Sequence, residues 1–269
     1  MSEPALSALV RCRDEAVGIG RLLDGLAAQE LDGGVEIVVV DSGSSDSTLD
    51  QVRRRGIVPT EIAPRLFTYG RALNLAAARA RAPLCVAVSA HVALPDDGWA
   101  GRVVEAFDDH RVACAFGETV DPDLRPLNGP LLQDRAHATR YPFYGYSNSA
   151  GAFRRSLWVQ HGFDQDLRAS EDKEWAWHWL SEGWLCRLDP ALAVDHDHDD
   201  ESLAAFYRRN RDAFGAIRSF REDVWAVSSR QAAAEWAIGR HGNRSRLRAL
   251  GDPRRAVMIL GKYAGLRDR

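Results

Sequence analysis

Three groups of polar residues follow predicted strands, the positions where ligands of open α/β sheets bind. They are Arg11–Glu15, Asp41 and Ser89–His91. Asp41 ends the apolar run Val35–Val40 and enters a Ser/Gly loop, where a carboxylate can accept hydrogen bonds from a nucleobase or a ribose. The alternative is an Asx turn that caps the next helix. The sequence has no GxGxxG or GK[ST] motif, so neither a dinucleotide fingerprint nor a P-loop is present.

Two histidine-containing segments could ligate a divalent cation. His91 follows a buried strand, and the later segment 194–201 holds His196 and His198 among five carboxylates. Alternate residues of an extended chain point the same way, so these two histidines could share a face. Mixed nitrogen and oxygen ligands suit Mn²⁺ or Mg²⁺ bound together with substrate phosphates. The alternatives are a structural histidine at position 91 and a solvated acidic loop at 194–201.

Another group of polar residues begins a helix at Ser170-Glu171-Asp172-Lys173-Glu174-Trp175. One of its carboxylates could act as a general base towards a hydroxyl. The alternative is structural, because Ser170 is a good N-cap and acids in the first turn complement the helix dipole. Four tryptophans at positions 175, 177, 179 and 184 are too many for one core face. Some of them could stack on a sugar, whereas core packing accounts for most.

Length and composition exclude several classes of protein. The chain has 269 residues, of which 45% are hydrophobic and 27% charged, enough for one α/β domain with a sizeable core. Its longest apolar runs are far shorter than the ~20 residues of a membrane-spanning helix. The start Met-Ser-Glu-Pro does not resemble a signal peptide, and the four cysteines form no CxxC pair. We therefore expect a cytoplasmic protein without zinc knuckles or a disulfide framework.

The net charge of −3 divides unevenly along the chain. Residues 241–269 contain eight Lys/Arg against two acids, which makes this tail +6 and residues 1–240 −9. An acidic main body argues against nucleic acid as a partner. The tail could solvate a terminal helix, or it could rest on an anionic membrane surface through Ala256–Leu260 and the flanking arginines.

The elements that must position these residues follow from hydrophobic periodicity. The first ninety residues alternate strand and helix, which favours an open parallel sheet. Residues 121–146 are irregular and contain Pro and Gly, a pattern typical of substrate-facing segments. The predicted strands are 5–12, 35–40, 84–89, 112–116 and 185–194, and the predicted helices are 18–29, 48–55, 70–81, 99–108, 171–182 and 203–216, with a mainly helical, basic 222–269.

Seven short motifs, taken in their order along the chain, resemble those of a family 2 glycosyltransferase, most closely the rhamnosyltransferase-like branch. The resemblance spans about residues 5–220. It implies the GT-A fold, an α/β fold with a mostly parallel central sheet, flanking helices, a Rossmann-like nucleotide-binding half and a helical C-terminal extension. The matching motifs are VRCRDE at 10–15, EIVVVDSGSSDST at 36–48, YGRALN at 69–74, SAHVALP at 89–95, YSNSA at 146–150, SEDKEW at 170–175 and AVDHDH at 193–198.

The resemblance also implies domains and roles. Residues 1–220 form the glycosyltransferase domain, with a nucleotide-sugar half at 1–95 and an acceptor half at 96–220, and residues 221–269 form the extension. Asp172 matches the catalytic base, beside Glu171. His91 stands in the place of the DxD metal motif, whose aspartates are missing, and His196 or His198 would complete a divalent-cation site. The nucleotide-sugar residues would be Arg11, Glu15, Asp41, Ser42, Arg71, Asn74, Ser89 and Ala90, and the acceptor residues Asn148 and Trp175.

The expected reaction is a single displacement that moves a hexose or deoxyhexose from a nucleoside-diphosphate sugar to an acceptor hydroxyl, with inversion. The acceptor could be a glycan, a lipid-linked glycan or a small natural product. The missing DxD aspartates keep open a catalytically silent nucleotide-sugar-binding relative. A nucleotidyltransferase and a methyltransferase are disfavoured, because residues 10–20 lack their Gly-rich loop.

Overall fold

A single mixed sheet organises the computed structural model, which describes residues 3–196, 201–224 and 253–267. Within these residues the sheet has eight strands in the order β3-β2-β1-β4-β7-β5-β8-β6. The strands are β1 (Leu6–Cys12), β2 (Val35–Asp41), β3 (Thr60–Glu61), β4 (Leu84–Ser89), β5 (Val112–Phe116), β6 (Leu131–Gln133), β7 (Ala150–Arg154) and β8 (Leu185–Leu188). The helices are α1 (Ile19–Ala27), α2 (Thr48–Arg54), α3 (Tyr69–Arg79), α4 (Trp99–Glu105), α5 (Arg135–Arg140), α6 (Arg155–Gln160), α7 (Glu171–Ser181), α8 (Leu203–Phe220) and α9 (Pro253–Arg267).

The parallel half of the sheet confirms the α/β prediction. Strands β3, β2, β1 and β4 are parallel to one another. β1 is buried on both faces, and its successive side chains alternate between two apolar clusters: Ala8 and Val10 join one, and Leu9 joins the other. This period-2 alternation between two covered faces is what makes the strand read as a continuous apolar run.

One antiparallel strand decides which loops share an edge of the sheet. β7 runs antiparallel to both β4 and β5, with Ala150 opposite Val88. The segment before β7, residues 146–149, therefore lies at the edge where β1, β2 and β4 end. β5 runs in the same direction as β4, so its last residue, Phe116, lies at that edge as well.

The four cysteines all lie on strands of this sheet. Cys12, Cys85, Cys114 and Cys186 are buried and unbonded to one another by disulfides. Cys114 and Cys186 are register partners on the parallel strands β5 and β8. The thiols therefore contribute apolar volume to the core.

Two stretches differ from the sequence prediction. The strand predicted at 185–194 ends at Leu188, because Asp189 accepts a hydrogen bond from the Ala191 backbone and starts a 3₁₀ turn at Pro190–Leu192. Proline has no N–H to donate to a ladder, so the strand stops there. The segment 121–146 also contains regular structure, β6 and α5, whose short lengths give little periodicity to detect.

The chain divides into two compact units. The first comprises residues 1–166 and 171–197, and the second comprises 167–170 and 198–269. The division falls at 197/198, whereas the family resemblance puts the end of its domain near 220. Within the second unit α8 packs against α9, and a side chain at Gly265 would collide with the Arg211 carbonyl. This close approach joins α8 to the C-terminal helix. Residues 225–252 of the predicted helical tail lie outside the described residues.

Candidate active site

Asp41 shapes the loop that follows β2. Its side chain is buried, and Oδ2 accepts hydrogen bonds from the backbone N–H of Gly43 at 2.8 Å and of Ser44 at 3.0 Å. Oδ1 accepts the Ser44 hydroxyl. Gly43 has φ +91°, and a Cβ there would lie 2.5 Å from Pro64 Cγ, so only glycine fits. The Asx turn that the sequence left open is thus present, and contact between Asp41 and a nucleobase stays a prediction.

A second set of hydrogen bonds ties this loop to the one after β1. The Asp14 backbone N–H donates to Ser44 Oγ at 2.9 Å, and the Asp14 carboxylate accepts the Ser45 N–H at 2.7 Å. The Glu15 N–H donates to Thr48 Oγ1 at 2.7 Å. Asp14 has φ +53°, a conformation that Asp adopts more readily than most residues. The two loops therefore form one cross-linked wall at the ends of β1 and β2.

His91 follows β4 at the same edge. Its Nδ1 lies 3.0 Å from Glu15 Oε1, and a Cβ on Gly18 would lie 3.0 Å from His91 Cα, so the start of α1 packs against it. A carboxylate on one ring nitrogen is the usual companion of a metal-ligating histidine, because it holds the hydrogen there and leaves Nε2 as the acceptor. Metal ligation by His91 stays a prediction.

The second predicted ligand is not arranged to chelate with the first. The His196 ring stacks on His91, with ring centroids 4.8 Å apart and planes within 8°. Nitrogen lone pairs lie in the ring planes, so those of parallel rings do not converge on one ion. The described part of the chain contains no group of three or more His, Cys, Asp or Glu side chains that could hold a metal. His198 lies outside the described residues.

A network of four side chains joins β1, the loop before β7 and the start of α7. Arg11 donates to the Asn148 carbonyl at 3.0 Å, and its guanidinium lies 3.9 Å from Glu171 Oε1. Asn148 donates through Nδ2 to Glu171 at 3.3 Å and through its backbone N–H to Asp172 Oδ2 at 3.1 Å. The network exists because β7 reverses against β4 and brings Asn148 beside the end of β1. Sequence analysis named all four residues.

The two carboxylates of this network have different environments. Glu171 is 4% exposed, and burial, followed by the nearby Asp172 carboxylate, raises its pKa from 4.5 to about 7. Asp172 is only partly buried, so it is the carboxylate that a bound molecule can reach. The residue before them, Ser170, has φ +62°, a strained conformation of the kind that concentrates at functional sites.

Lys173 and Tyr69 lie beside the network, and sequence analysis assigned a role to neither. Lys173 Nζ donates to the Gly145 carbonyl at 2.9 Å, and burial lowers the pKa of Lys173. The Arg11 guanidinium lies over the Tyr69 ring, 5.2 Å from its centroid. Lys173 carried a signal that could have found it, because it is one of only two lysines in the chain. Tyr69 begins α3 and could not be paired with Arg11 before the fold was known.

Three other predicted residues lie elsewhere. Asn74 binds within the protein: Nδ2 donates to the Phe163 carbonyl at 2.8 Å and Oδ1 accepts the Trp158 indole N–H at 2.8 Å. Trp175 is fully buried in the core, so the core-packing alternative describes it. Arg71 lies in the first turn of α3 and donates to the Leu66 carbonyl at 3.0 Å. The structure does not bring Asn74 or Trp175 into the network around Asp172.

The remaining predicted residues lie at the sheet edge. Ser42 is buried and hydrogen-bonds through its N–H to the Cys12 carbonyl at 3.1 Å. Ser89 ends β4 and donates its N–H to the Ser149 carbonyl at 2.9 Å, and Ala90 is buried beside it. These hydrogen bonds join the end of β2 to β1 and the end of β4 to the segment before β7. Contact of these residues with a nucleotide sugar stays a prediction.

This fold and this site define a class of protein, and comparison with known proteins identifies it. The chain belongs to glycosyl transferase family 2, whose family model matches residues 7–162. The resemblance seen in the sequence is thereby confirmed at the level of the family. The rhamnosyltransferase-like branch is not confirmed and stays a prediction. Comparison with curated proteins gives no significant match.

Solved structures share the fold at low sequence identity. One is the mannosyltransferase PcManGT from Pyrobaculum calidifontis in complex with GDP-Man and Mn²⁺, with TM-score 0.70, 18% identity, and coverage of 98% of this chain and 86% of that one. Another is S. aureus TarS 1-349 in complex with UDP-GlcNAc, with TM-score 0.62, 16% identity, and coverage of 98% and 90%. The Mycobacterium tuberculosis glucosyl-3-phosphoglycerate synthase with UDP has TM-score 0.61, 16% identity, and coverage of 80% and 79%. Together they confirm the predicted GT-A fold.

The raised pKa of Glu171 predicts a pH-dependent stability. A carboxyl whose pKa is higher in the folded state stabilises it most below the unfolded pKa of 4.5, and this contribution is lost as pH rises to about 7. The Tm of Glu171→Gln should therefore rise relative to the parent protein between pH 5 and pH 8, by several °C, since ~1 kcal/mol corresponds to about 2–4 °C at this size. The exposed Glu182→Gln is the control, measured by thermal denaturation. A Tm difference for Glu171→Gln that does not change with pH contradicts this assignment.

Proposed function

We propose that this protein is an inverting glycosyltransferase that moves a hexose or deoxyhexose from a nucleoside-diphosphate sugar to an acceptor hydroxyl. One observation carries the proposal: the partly buried Asp172 carboxylate is held by Asn148 beside the Arg11–Glu171 pair, at the edge where β1, β2 and β4 end. Family membership supports the reaction type. The similar structures in complex with GDP-Man, UDP-GlcNAc and UDP support a nucleotide-sugar substrate.

In this proposal Asp172 is the general base. It takes the proton of the acceptor hydroxyl while the hydroxyl oxygen forms a bond to the anomeric carbon. The bond from that carbon to the diphosphate oxygen breaks, and its electron pair leaves with the nucleoside diphosphate. Attack and departure on opposite sides invert the configuration. Glu171 is too buried to reach an acceptor, so its part is to hold Asn148 and Arg11 in place.

Positive charge for the leaving diphosphate comes from the chain itself. Arg71 lies in the first turn of α3, an 11-residue helix, and helix N-termini favour anions. The Arg11 side chain is 12% exposed and lies over Tyr69, the first residue of that helix. We assign Arg71 to the diphosphate and Arg11 to the positioning of the loop that carries Asn148.

The proposal includes a divalent cation, Mn²⁺ or Mg²⁺, with His91 as one of its ligands. The Glu15–His91 pair has the chemistry of such a site, whereas His196 in its stacked position does not share the ion. Such an ion, when bound, would neutralise charge on the diphosphate.

A thermal-shift screen tests the substrate class. Uridine, guanosine and thymidine diphosphates and their sugars are each added with Mn²⁺ or with EDTA, and nucleoside diphosphate release is measured in parallel. Nucleotides with one of these bases should raise Tm, because binding adds RT ln(1 + [L]/Kd) to the free energy of unfolding. The corresponding nucleotide sugar should be turned over. Binding without release would instead support the catalytically silent relative. Equal activity in Mn²⁺ and EDTA contradicts the cation assignment.

Substitution of the proposed base tests the mechanism. Asp172→Asn should lower kcat by roughly 10²–10⁴-fold, the usual contribution of a positioned base, and leave the Kd of the sugar donor within about threefold. Glu182→Gln, an exposed change just past the end of α7, is the control and should turn over at the parent rate. Normal turnover by Asp172→Asn excludes Asp172 as the base.

The basic C-terminal tail is proposed to contact anionic membranes, where lipid-linked acceptors reside. The described residues contain no helix long and apolar enough to cross a membrane. The helix α9, which lies in this tail, exposes the apolar side chain of Leu260. The full chain should therefore pellet with phosphatidylglycerol vesicles more than with phosphatidylcholine vesicles, and less so in high salt. Equal pelleting with both vesicles contradicts the proposal.

Cytoplasmic localisation and the biosynthetic context stay predictions.

A further inference from the structure

A pocket of about 480 Å³ opens in the first unit, among residues 118–144. Such a volume lies in the range of small-molecule sites. Most of its lining is apolar or aromatic, and three of its side chains are charged. The charged lining residues are Glu118, Asp121 and Arg140, and Leu124, Phe143 and Tyr144 are among the apolar and aromatic ones.

One wall of the pocket is an ordered turn. The Asp121 N–H donates to the Arg125 carbonyl at 2.8 Å, and Val120 forms a bridge with Pro126. Leu124, at the tip, has φ +64° and is 42% exposed. A left-handed backbone conformation is unfavourable for leucine, and the side chain also exposes apolar surface to water. The turn thus holds an apolar side chain at the pocket in a strained position.

The opposite wall is tied to the proposed base. The Tyr144 hydroxyl donates to the Val120 carbonyl at 2.7 Å and so closes the two walls together. The next residue, Gly145, accepts the Lys173 ammonium at 2.9 Å, and Lys173 follows Asp172 in the chain. Glu118 lies two residues beyond the end of β5, at the sheet edge that also holds Asn148. The pocket is therefore built from the same framework that positions Asp172.

The chemistry of the lining selects against the sugar donor. Glu118 and Asp121 would repel a diphosphate, and Arg140 lies over the Tyr141 ring at 5.3 Å from its centroid. The Tyr144 hydroxyl is engaged by Val120, so it is not offered to a saccharide as a donor. Phe143, Pro122 and Pro142 present flat apolar surfaces. Aromatic rings pack well on such surfaces.

From these contacts we infer that the pocket binds the apolar, aromatic part of the acceptor. The inference rests on the proposed function and narrows it: the acceptor is an aromatic alcohol rather than a purely saccharide chain. Leu124 acts in acceptor selection without touching the reacting atoms.

Binding of 2-naphthol, followed by saturation-transfer NMR, tests the inference. Methyl α-glucoside is the saccharide probe. We expect 2-naphthol to bind the parent protein, with a Kd about tenfold weaker in Leu124→Asp, because a charge at the apolar wall disfavours the ring. Aspartate adopts positive φ readily, so this variant should keep the turn. The control is Val159→Asp, an exposed apolar position on α6 outside the pocket.

The outcomes separate this inference from the proposed function. Equal naphthol affinity in Leu124→Asp and Val159→Asp, no binding of naphthol, or equal binding of methyl α-glucoside each overturns the inference. The Tm shift with the nucleotide sugar is measured on the same variants and should not change. If naphthol binds as expected while no nucleotide sugar binds, the aromatic pocket stands and the proposed function fails. If the sugar donor is hydrolysed but naphthol does not bind, only the inference fails.

Discussion

The contact between Arg11 and the pair Asn148 and Glu171 is the interaction on which the candidate site depends. It joins residues 137 and 160 positions apart in the chain, and both charged side chains are largely withdrawn from water. Removing one partner of a buried pair typically costs about 3–5 kcal/mol, because the other charge stays behind unpaired. The site is thus stable only as a set, and the position of Asp172 depends on partners that are not themselves reactive.

The local part of this architecture could be predicted from sequence. Val35–Val40 and Leu84–Ser89 are apolar runs whose period and length indicate buried strands, and β2 and β4 follow them closely. The order of the motifs also indicated the family. The antiparallel insertion of β7 could not be predicted, because five residues with three small side chains, AGAFR, carry little periodicity. Pairing of β7 with β4 is a long-range event, and it alone brings Asn148 to Arg11.

Sequence analysis also overstated how many polar side chains face a ligand. The Ser/Asp-rich segment after β2 looked like a set of donors and acceptors for a nucleotide. In the structure these side chains hydrogen-bond to one another and to nearby backbone groups, as Asp41, Ser44 and Asp14 do. Buried polar groups must be satisfied, and short side chains next to a tight turn find local partners first. Composition shows that such groups are present, whereas only the fold shows which of them are already used.

All four thiols are buried on strands of the sheet, so their reaction with a thiol reagent can measure local opening of the structure. A thiol reagent can reach them only when a strand edge or a loop separates, so the rate of modification measures that separation. Cys12 is the informative position, since its Sγ lies 3.6 Å from Asp41 Oδ1, directly beneath the cross-linked loops. Burial keeps this thiol's pKa well above its usual range, which makes it unreactive in the closed state. Its modification would register motion of the loops after β1 and β2, separately from global unfolding reported by Cys85 in the centre of the sheet.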